Sequence, residues 1–390
     1  MTTLSHLKVL DLSRVLAGPW ASQLLADMGA EVIKVENPTA GDDTRQWGPP
    51  YLKDRDGKET SESAYFLCTN RGKKSVCIDI RTEGGQTILK SLARECDVLI
   101  ENFKVGGLAK YGLDYQALKQ INPQLVYCSI TGFGQTGPYK DRLGYDFLIQ
   151  AMGGLMSVTG EPEAAGGQPQ KVGVALTDIM TGLYASNGIL AALAERQRSG
   201  LGQHIDLSLF DVTAATLANQ ASNYLVGGVV PSRLGNAHPN IVPYQSFTVS
   251  DGHIVIAVGN DSQFESFSSV LGLEGLSNDA LFSTNASRVI NREKLINIIQ
   301  TTLLQNTSEY WLNQCEVHSV PAGPINNIDQ VMNDPQIIAR NMRVKLKHPE
   351  SDELEVVGNP IKFSRTPIEY GSAAPRLGEH TDSILNALNI

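Results

Sequence analysis

LKVLDLSRVLAGPWASQLLADMGAEVIKVE, running from Leu7 to Glu36, is the stretch that decides the fold. Leu7-Lys-Val-Leu-Asp-Leu12 reads as a buried strand. Ser13 to Pro19 reads as a loop, with Pro19 near the first helical position, where its missing N–H is no loss. Trp20 to Met28 has helical spacing, Gly29 ends it, and Glu31-Val-Ile-Lys-Val-Glu36 is a second strand. Two strands joined by a helical crossover run parallel and are covered on both faces.

The alternation continues outward from that unit. Ser75 to Ile80 is a strand, Glu83 to Glu95 a helix and Asp97 to Glu101 a strand. Tyr115 to Ile121 is a short helix and Leu125 to Thr131 a strand, with another strand at His204 to Leu209 and a helix from Asp211 to Leu225. The expected fold class is therefore α/β, with a doubly wound, Rossmann-like sheet. Asn37 to Ser63 is polar and rich in Gly, Pro and Asp, so it reads as a long loop, a feature often tied to function. Composition changes at Val226, where Gly227-Gly-Val-Val-Pro231 reads as a linker. Gln245 to Val258 reads as a hairpin around Asp251-Gly252. Helices at Ser262 to Leu271, Arg292 to Leu304 and Glu309 to Val317 complete a smaller α+β domain ending near Pro324. Strand-like pieces at Arg343 to Lys347 and Leu354 to Val357 follow, then a terminal helix from Asp382.

A net charge of −9 argues against nucleic-acid or polybasic membrane-surface binding, which need a basic footprint. No apolar run approaches a membrane span. Five scattered cysteines with no CxxC pair argue against structural zinc or a disulfide framework. Met1-Thr-Thr-Leu-Ser runs into a strand without a signal peptide, so a cytoplasmic location is expected.

A doubly wound sheet places ligands beyond the carboxyl ends of its strands. Those ends carry Arg14, Arg81 and Lys104, which together make an anion-binding crevice. Gly132-Phe-Gly-Gln-Thr-Gly137 formally matches a dinucleotide fingerprint, yet Pro138 follows it and no helix does, so it reads as a turn. Zinc-protease, esterase-elbow and P-loop signatures are absent. The seven histidines are dispersed; His238, in the linker, is the most suggestive of them. The remaining chemical candidate is Asp178, in Lys171-Val-Gly-Val-Ala-Leu-Thr-Asp178-Ile-Met-Thr-Gly182, where an apolar run turns into a helix reaching about Arg198. Thr177 or Asp178 can cap that helix, and its dipole favours an ionised carboxylate there. A carboxylate so held can attack an activated acyl group. Gly182 and Gly188 within the helix imply close packing or ligand access.

Ordered blocks along the chain carry a resemblance. They are Val9 to Pro19, Met28 to Glu36, Gly41-Asp-Asp-Thr-Arg45, Asn70 to Ser75, Glu101-Asn-Phe103, and Gly144-Tyr-Asp146. The Asp178 stretch, Gly259-Asn-Asp261, Val320 to Pro324 and Leu377-Gly-Glu-His-Thr381 complete the set. In that order they resemble the class III CoA-transferases of the CaiB/BaiF type, over essentially the whole chain. Gly41 to Pro50, Tyr127 to Gly132, Ile241 to Gln245 and Gly323 to Asn327 are most similar to the branch acting on succinyl-CoA and glutarate.

The resemblance implies a ring-shaped subunit interlocked in a homodimer. Residues 1–225 and 326–390 would form the large Rossmann-like domain and 226–325 the small α+β domain with its linkers. It implies no permanently bound cofactor and no metal, with coenzyme A as co-substrate. Asp178 would be the nucleophile, passing through aspartyl anhydride and aspartyl-CoA thioester intermediates, with oxyanion donors at Gly259 and Asn260. CoA would contact Leu16, Ala17, Asn37, Ile78, Asp79, Arg81, Asn102, Phe103, Lys104, Lys110, Arg142, Tyr145 and Asp146. Asn37 and Lys110 stand where relatives often have Arg, and Leu16 replaces a Gln, which argues against oxalate as substrate. The acceptor's far carboxylate would pair with Arg45 or Arg71. The alternatives are an α-methylacyl-CoA racemase of the same fold and a non-catalytic CoA-binding protein. The racemase needs a histidine acid/base where this chain has Tyr145.

Overall fold

In the computed structural model, which describes residues 2–352 and 354–388, six strands form one sheet. They are β1 (Lys8–Asp11), β2 (Glu31–Glu36), β3 (Lys73–Cys77), β4 (Val98–Glu101), β5 (Val126–Thr131) and β6 (His204–Ser208). Their spatial order is β3-β2-β1-β4-β5-β6, and every neighbouring pair is parallel. That order reverses between β1 and β4, which opens a crevice at their carboxyl ends.

Alternate strand residues face opposite layers, so one strand feeds two cores. Val9, Val98, Ile100, Val126 and Cys128 pack under α1 (Ala17–Asp27) and α5 (Leu176–Ser199). Leu10, Leu99 and Tyr127 pack on the other face, under α2 (Glu83–Glu95) and α3 (Tyr115–Ile121). Gly182 is where α5 meets α1: a Cβ there would lie 2.8 Å from the Ala17 carbonyl oxygen and 3.0 Å from the Trp20 Cβ. Close packing therefore explains Gly182. Gly188 has only ordinary van der Waals neighbours.

Three elements differ from the sequence expectation. The segment from Asn37 to Ser63 is not a plain loop: it holds a helical turn at Asp43–Gln46 and an antiparallel pair, Tyr51–Lys53 with Glu59–Ser63. Those strands are too short and polar for their alternation to register. The helix read from Asp211 to Leu225 is two, α6 (Leu209–Thr216) and α7 (Ala218–Gly227), broken where Ala218 takes φ 44°. Helix α1 begins at Ala17 rather than Trp20, with Leu16 at its N-cap position, so Pro19 falls inside the first turn, where its missing N–H costs no helical bond.

Buried ions anchor the segment around the first strand. Lys34 Nζ lies 2.8 Å from Asp42 and donates to the Ser13 carbonyl at 2.9 Å. Lys73 Nζ lies 3.2 Å from Asp11 and donates to the Pro19 carbonyl at 2.9 Å. Burial opposes charge on Asp42, but Lys34 and the Thr44 amide outweigh it and hold the carboxyl at about 2. Burial pulls Lys73 down to about 8, against Asp11.

The chain divides into two compact units. The first holds the sheet and runs up to Leu155, through Val172–Val226 and from Pro335 onward. The second comprises Met156–Lys171 and Gly227–Asp334. Its sheet is antiparallel, β7 (Tyr244–Val249), β8 (Gly252–Ala257) and β9 (Ala322–Pro324), in the order β9-β8-β7. Phe247, Ile254, Ile256 and Val258 pack there against α8 (Asp261–Val270), α9 (Arg292–Leu303) and α10 (Ser308–Val317). Residues 156–171 join this unit through Arg233, which donates to the Glu161 carbonyl at 3.1 Å and the Gly167 carbonyl at 3.3 Å.

Candidate active site

The carboxyl ends of β1 to β4 enclose a cleft of about 340 Å³. Leu12 and Arg14 come from the loop after β1, and Val35 to Asn37 from the end of β2. Ile78 to Arg81 follow β3, and Phe103, Lys104, Gly107, Lys110 and Tyr111 follow β4. Eight residues singled out from the sequence meet here: Arg14, Asn37, Ile78, Asp79, Arg81, Phe103, Lys104 and Lys110.

The four cations of this cleft are not equivalent. Arg14 pairs with Asp43 at 2.9 Å. Arg81 pairs with Asp79 through two hydrogen bonds, 2.9 and 2.8 Å, and that pairing holds Asp79 at about 2. Lys104 and Lys110 are exposed and have no ion-pair partner among the described residues, so their charges are free for a ligand. The Lys110 ammonium rests 4.6 Å from the centre of the Tyr111 ring.

Asn102 works behind the cleft. Its amide accepts from Arg14 N at 2.9 Å and donates to the Arg14 carbonyl at 2.7 Å. This clasp holds the loop in which Val15 sits at φ 71°, a costly conformation for a β-branched residue. Glu101 accepts from Phe103 N at 2.7 Å, and burial raises its carboxyl to about 7. Leu16 and Ala17 lie buried at the start of α1, within the hydrophobic interior.

Asp178 occupies a different corner of the first unit. It lies in the first turn of α5, whose N-cap position is Ala175 with no side-chain cap. Thr177 does not cap either; its hydroxyl pairs with that of Thr213 at 3.0 Å. The cap comes from elsewhere in the chain. Asp146 Oδ1, at the start of α4 (Asp146–Met152), accepts from Asp178 N at 3.2 Å.

The half-buried Asp178 carboxyl is raised to about 7, first by burial and then by the charge of Asp146. The sequence led us to expect a carboxylate kept ionised by the helix end; desolvation and a like charge outweigh that dipole. Tyr65 stands close enough to be raised to about 12, mainly by burial, with further contributions from Asp178, Cys68 and Asp146. Its phenol therefore stays protonated and can donate. Trp47 packs edge-on against Tyr65, ring centres 5.1 Å apart. Both aromatics lie in or beside the segment that reads as loop, and no spacing links them to Asp178. Arg142 and Tyr145 lie between β5 and α4, away from the lining of the cleft: Arg142 rests 4.0 Å over the Tyr139 ring and Tyr145 is exposed.

The two arginines named for the acceptor have their donors taken up inside the first unit. Arg45 bonds Glu36 twice at 2.8 Å, reaches Glu62 at 3.3 Å and donates to the Pro375 carbonyl at 3.0 Å. Arg71 bonds both oxygens of Asp27, at 2.8 and 2.6 Å, and donates to the Val357 carbonyl at 2.9 Å. In the second unit, Asn260 caps α8 by accepting from Gln263 N at 2.9 Å, while Gly259 N donates to the Gln263 side chain at 2.7 Å. His238 there accepts from Asn240 N through Nδ1 at 3.1 Å.

The family described as CoA-transferase family III matches residues 4–381. The succinate–glutarate CoA-transferase of Agrobacterium fabrum is 51% identical over 99% of this chain and 95% of its own. The human succinyl-CoA:glutarate CoA-transferase is 43% identical over 98% of this chain and 85% of its own. A crystal structure of a CaiB/BaiF family protein from Brucella suis superposes with a TM-score of 0.85 at 51% identity, covering 99% of both chains.

Proposed function

This chain belongs to CoA-transferase family III, and from that premise we propose that it moves CoA from succinyl-CoA to a dicarboxylic acid such as glutarate, with Asp178 as nucleophile. The observation that carries the assignment of Asp178 is its half-buried carboxyl, raised to about 7 in the first turn of a helix, beside a neutral phenol. A carboxylate of that basicity is a stronger nucleophile than a solvated one and still ionises near neutral pH.

The steps balance without water. The Asp178 carboxylate attacks the thioester carbonyl, the C–S bond breaks, and an anhydride and CoA thiolate result. The thiolate then attacks the aspartyl carbonyl, releasing succinate and leaving an aspartyl-CoA thioester. The acceptor carboxylate attacks that thioester, giving a second anhydride and thiolate again. The thiolate takes the acceptor acyl group and the Asp178 carboxylate is restored. Holding the reactants in place supplies about 7–11 kcal/mol of the barrier. The Tyr65 hydroxyl is the proposed donor to the oxyanions.

In this reading the cleft at the strand ends takes the nucleotide portion of CoA, with Lys104 and Lys110 on its phosphates. CoA is a co-substrate, and no permanent cofactor is invoked. Removing either lysine is expected to raise KM for succinyl-CoA roughly 5–10-fold, the worth of one charge-assisted hydrogen bond. The kcat should hold. Steady-state kinetics of Lys104→Ala and Lys110→Ala at low and high salt measure this, and an unchanged KM in both would refute the placement.

The pH dependence follows from Asp178. A raised pKa means the nucleophile is ionised above about 7 and protonated below it. We expect kcat/KM to fall about tenfold per unit below that point and to level off above it. A profile flat from pH 5 to 8 would contradict the role given to this carboxyl.

Two further parts of the reading concern the assembly and its compartment. A homodimer is proposed because the first unit leaves a cluster of large apolar side chains exposed near Asp178: Leu143 at 71%, Tyr145 at 66%, Phe147 at 61% and Val174 at 59%. A patch of that kind marks an interface. Light scattering at micromolar concentration should return twice the mass of one chain, and a monomer there would remove the proposal. The proposed compartment is the cytoplasm, in keeping with five unpaired cysteines. Among the described residues no helix is long and apolar enough to cross a membrane.

A further inference from the structure

Gln150 is fully buried, and its amide is engaged at both ends. Its Oε1 accepts from Val172 N at 2.9 Å. Its Nε2 donates to Asp146 Oδ2 at 2.7 Å and, more weakly, to the Val174 carbonyl at 3.4 Å. A buried primary amide is tolerated only when such bonds are made, so its contacts show what it is for. One set of bonds holds Asp146. The other holds residues 172–174, the run of chain that feeds α5. Asp146 then accepts from Asp178 N, satisfying one of the amides that a helix start leaves without an internal partner.

We propose that Gln150 and Asp146 form a positioning bracket for the nucleophile, in which Gln150 fixes Asp146 and Asp146 fixes the first turn of α5 and with it the Asp178 carboxylate. The resemblance placed Asp146 among CoA contacts; the geometry gives it this second task. The inference rests on Asp178 being the nucleophile.

The choice of a carboxylate for this bracket has a chemical consequence. A serine or asparagine would cap the same amide without charge. Asp146 instead brings a second negative group against Asp178, and among the described residues it is the charge acting on that carboxyl. Tyr65 is its titratable neighbour and stays neutral. The repulsion exists while Asp178 is ionised and disappears once Asp178 is acylated, because the anhydride and the thioester carry no charge at that position. The bracket thus raises the free carboxylate relative to its covalent forms, which is differential stabilisation of the kind that speeds a chemical step.

Asp146→Asn and Gln150→Ala test this with succinyl-CoA and glutarate. The readouts are kcat, both KM values, the acid limb of kcat/KM, and the stoichiometry of hydroxamate at Asp178 trapped by hydroxylamine. Asp146→Asn keeps an acceptor for Asp178 N but removes the charge. It should move the acid limb down by about one pH unit and lower kcat at pH 8 about tenfold, with both KM values within about twofold. Gln150→Ala should lower kcat about tenfold while still trapping one hydroxamate per active subunit. A residue that only supported the fold would reduce the number of trappable sites and leave kcat per site and the acid limb unmoved; that result overturns the bracket. Should Gln150→Ala not fold, Asp146→Asn decides alone, and a wild-type limb and kcat in it overturn the proposal. Absence of hydroxamate in the wild-type enzyme during turnover would instead remove the nucleophile assignment on which the bracket rests.

Discussion

Asp178→Ala will lose CoA transfer by on the order of 10⁴-fold or more, the scale on which removal of a catalytic nucleophile acts. The same variant will keep its fold. Asp178 donates no side-chain cap to α5, whose first-turn amide is satisfied by Asp146 through the backbone of residue 178, and an alanine retains that N–H. Its carboxylate makes no ion pair among the described residues and is destabilised by burial and by Asp146. Removing an ionised group in such a place relieves repulsion, so the melting temperature should hold or rise slightly. The outcome is a split: activity gone, thermal unfolding unchanged, and succinyl-CoA still bound with a KD near the wild-type KM. Turnover within about tenfold of wild type would refute the nucleophile. A large fall in melting temperature would instead mean that the carboxylate supports the fold.

The same residue shows how far a sequence can be read and where it stops. The parallel sheet was legible because Leu7–Leu12 and Glu31–Glu36 are short apolar runs joined by a helical pattern, and local periodicity is written in neighbouring residues. The cleft was legible for a related reason. In a doubly wound sheet the strand ends converge, so Ile78 to Arg81 and Phe103 to Lys104 could be placed together without knowing any side-chain geometry. What remained hidden depends on pairs distant in the chain. The helix cap that Thr177 or Asp178 was expected to supply comes from Asp146, and nothing in the spacing announces that partner. Tyr65 and Trp47 reach the Asp178 corner from a segment whose strands are too short to register as strands. The sign of the Asp178 shift was also hidden. A helix start favours the anion, and only burial and a second carboxylate, both tertiary features, reverse it.

Arg45 is the sharper case, because the residue type invites a binding role and the surroundings give it a structural one. Arg45→Ala is expected to destabilise the first unit by about 3–5 kcal/mol, the cost of stripping one partner from a buried ion cluster. Glu36 and Glu62 are both buried and both use this guanidinium. Burial opposes charge on Glu36, and the Arg45 hydrogen bonds are the largest influence holding it ionised, ahead of Lys34. Without Arg45, Glu36 keeps the Ser75 hydroxyl at 2.6 Å and the Asp42 amide at 2.9 Å, while Glu62 loses its ion pair. The side chain also stacks 3.6 Å from the centre of the Phe66 ring and ties the Pro375 carbonyl to the segment before β3, so packing is lost as well as charge. Against a typical total of about 5–15 kcal/mol, a loss of that size lowers the urea midpoint severely. If Arg45 instead served only to read the acceptor's far carboxylate, Arg45→Ala would leave the urea midpoint untouched and raise KM for glutarate alone. Denaturation and acceptor kinetics on one preparation separate the two, and Arg45→Lys sharpens the comparison. Lysine keeps the charge but cannot reproduce the bidentate geometry on Glu36, so it should recover only part of the lost stability.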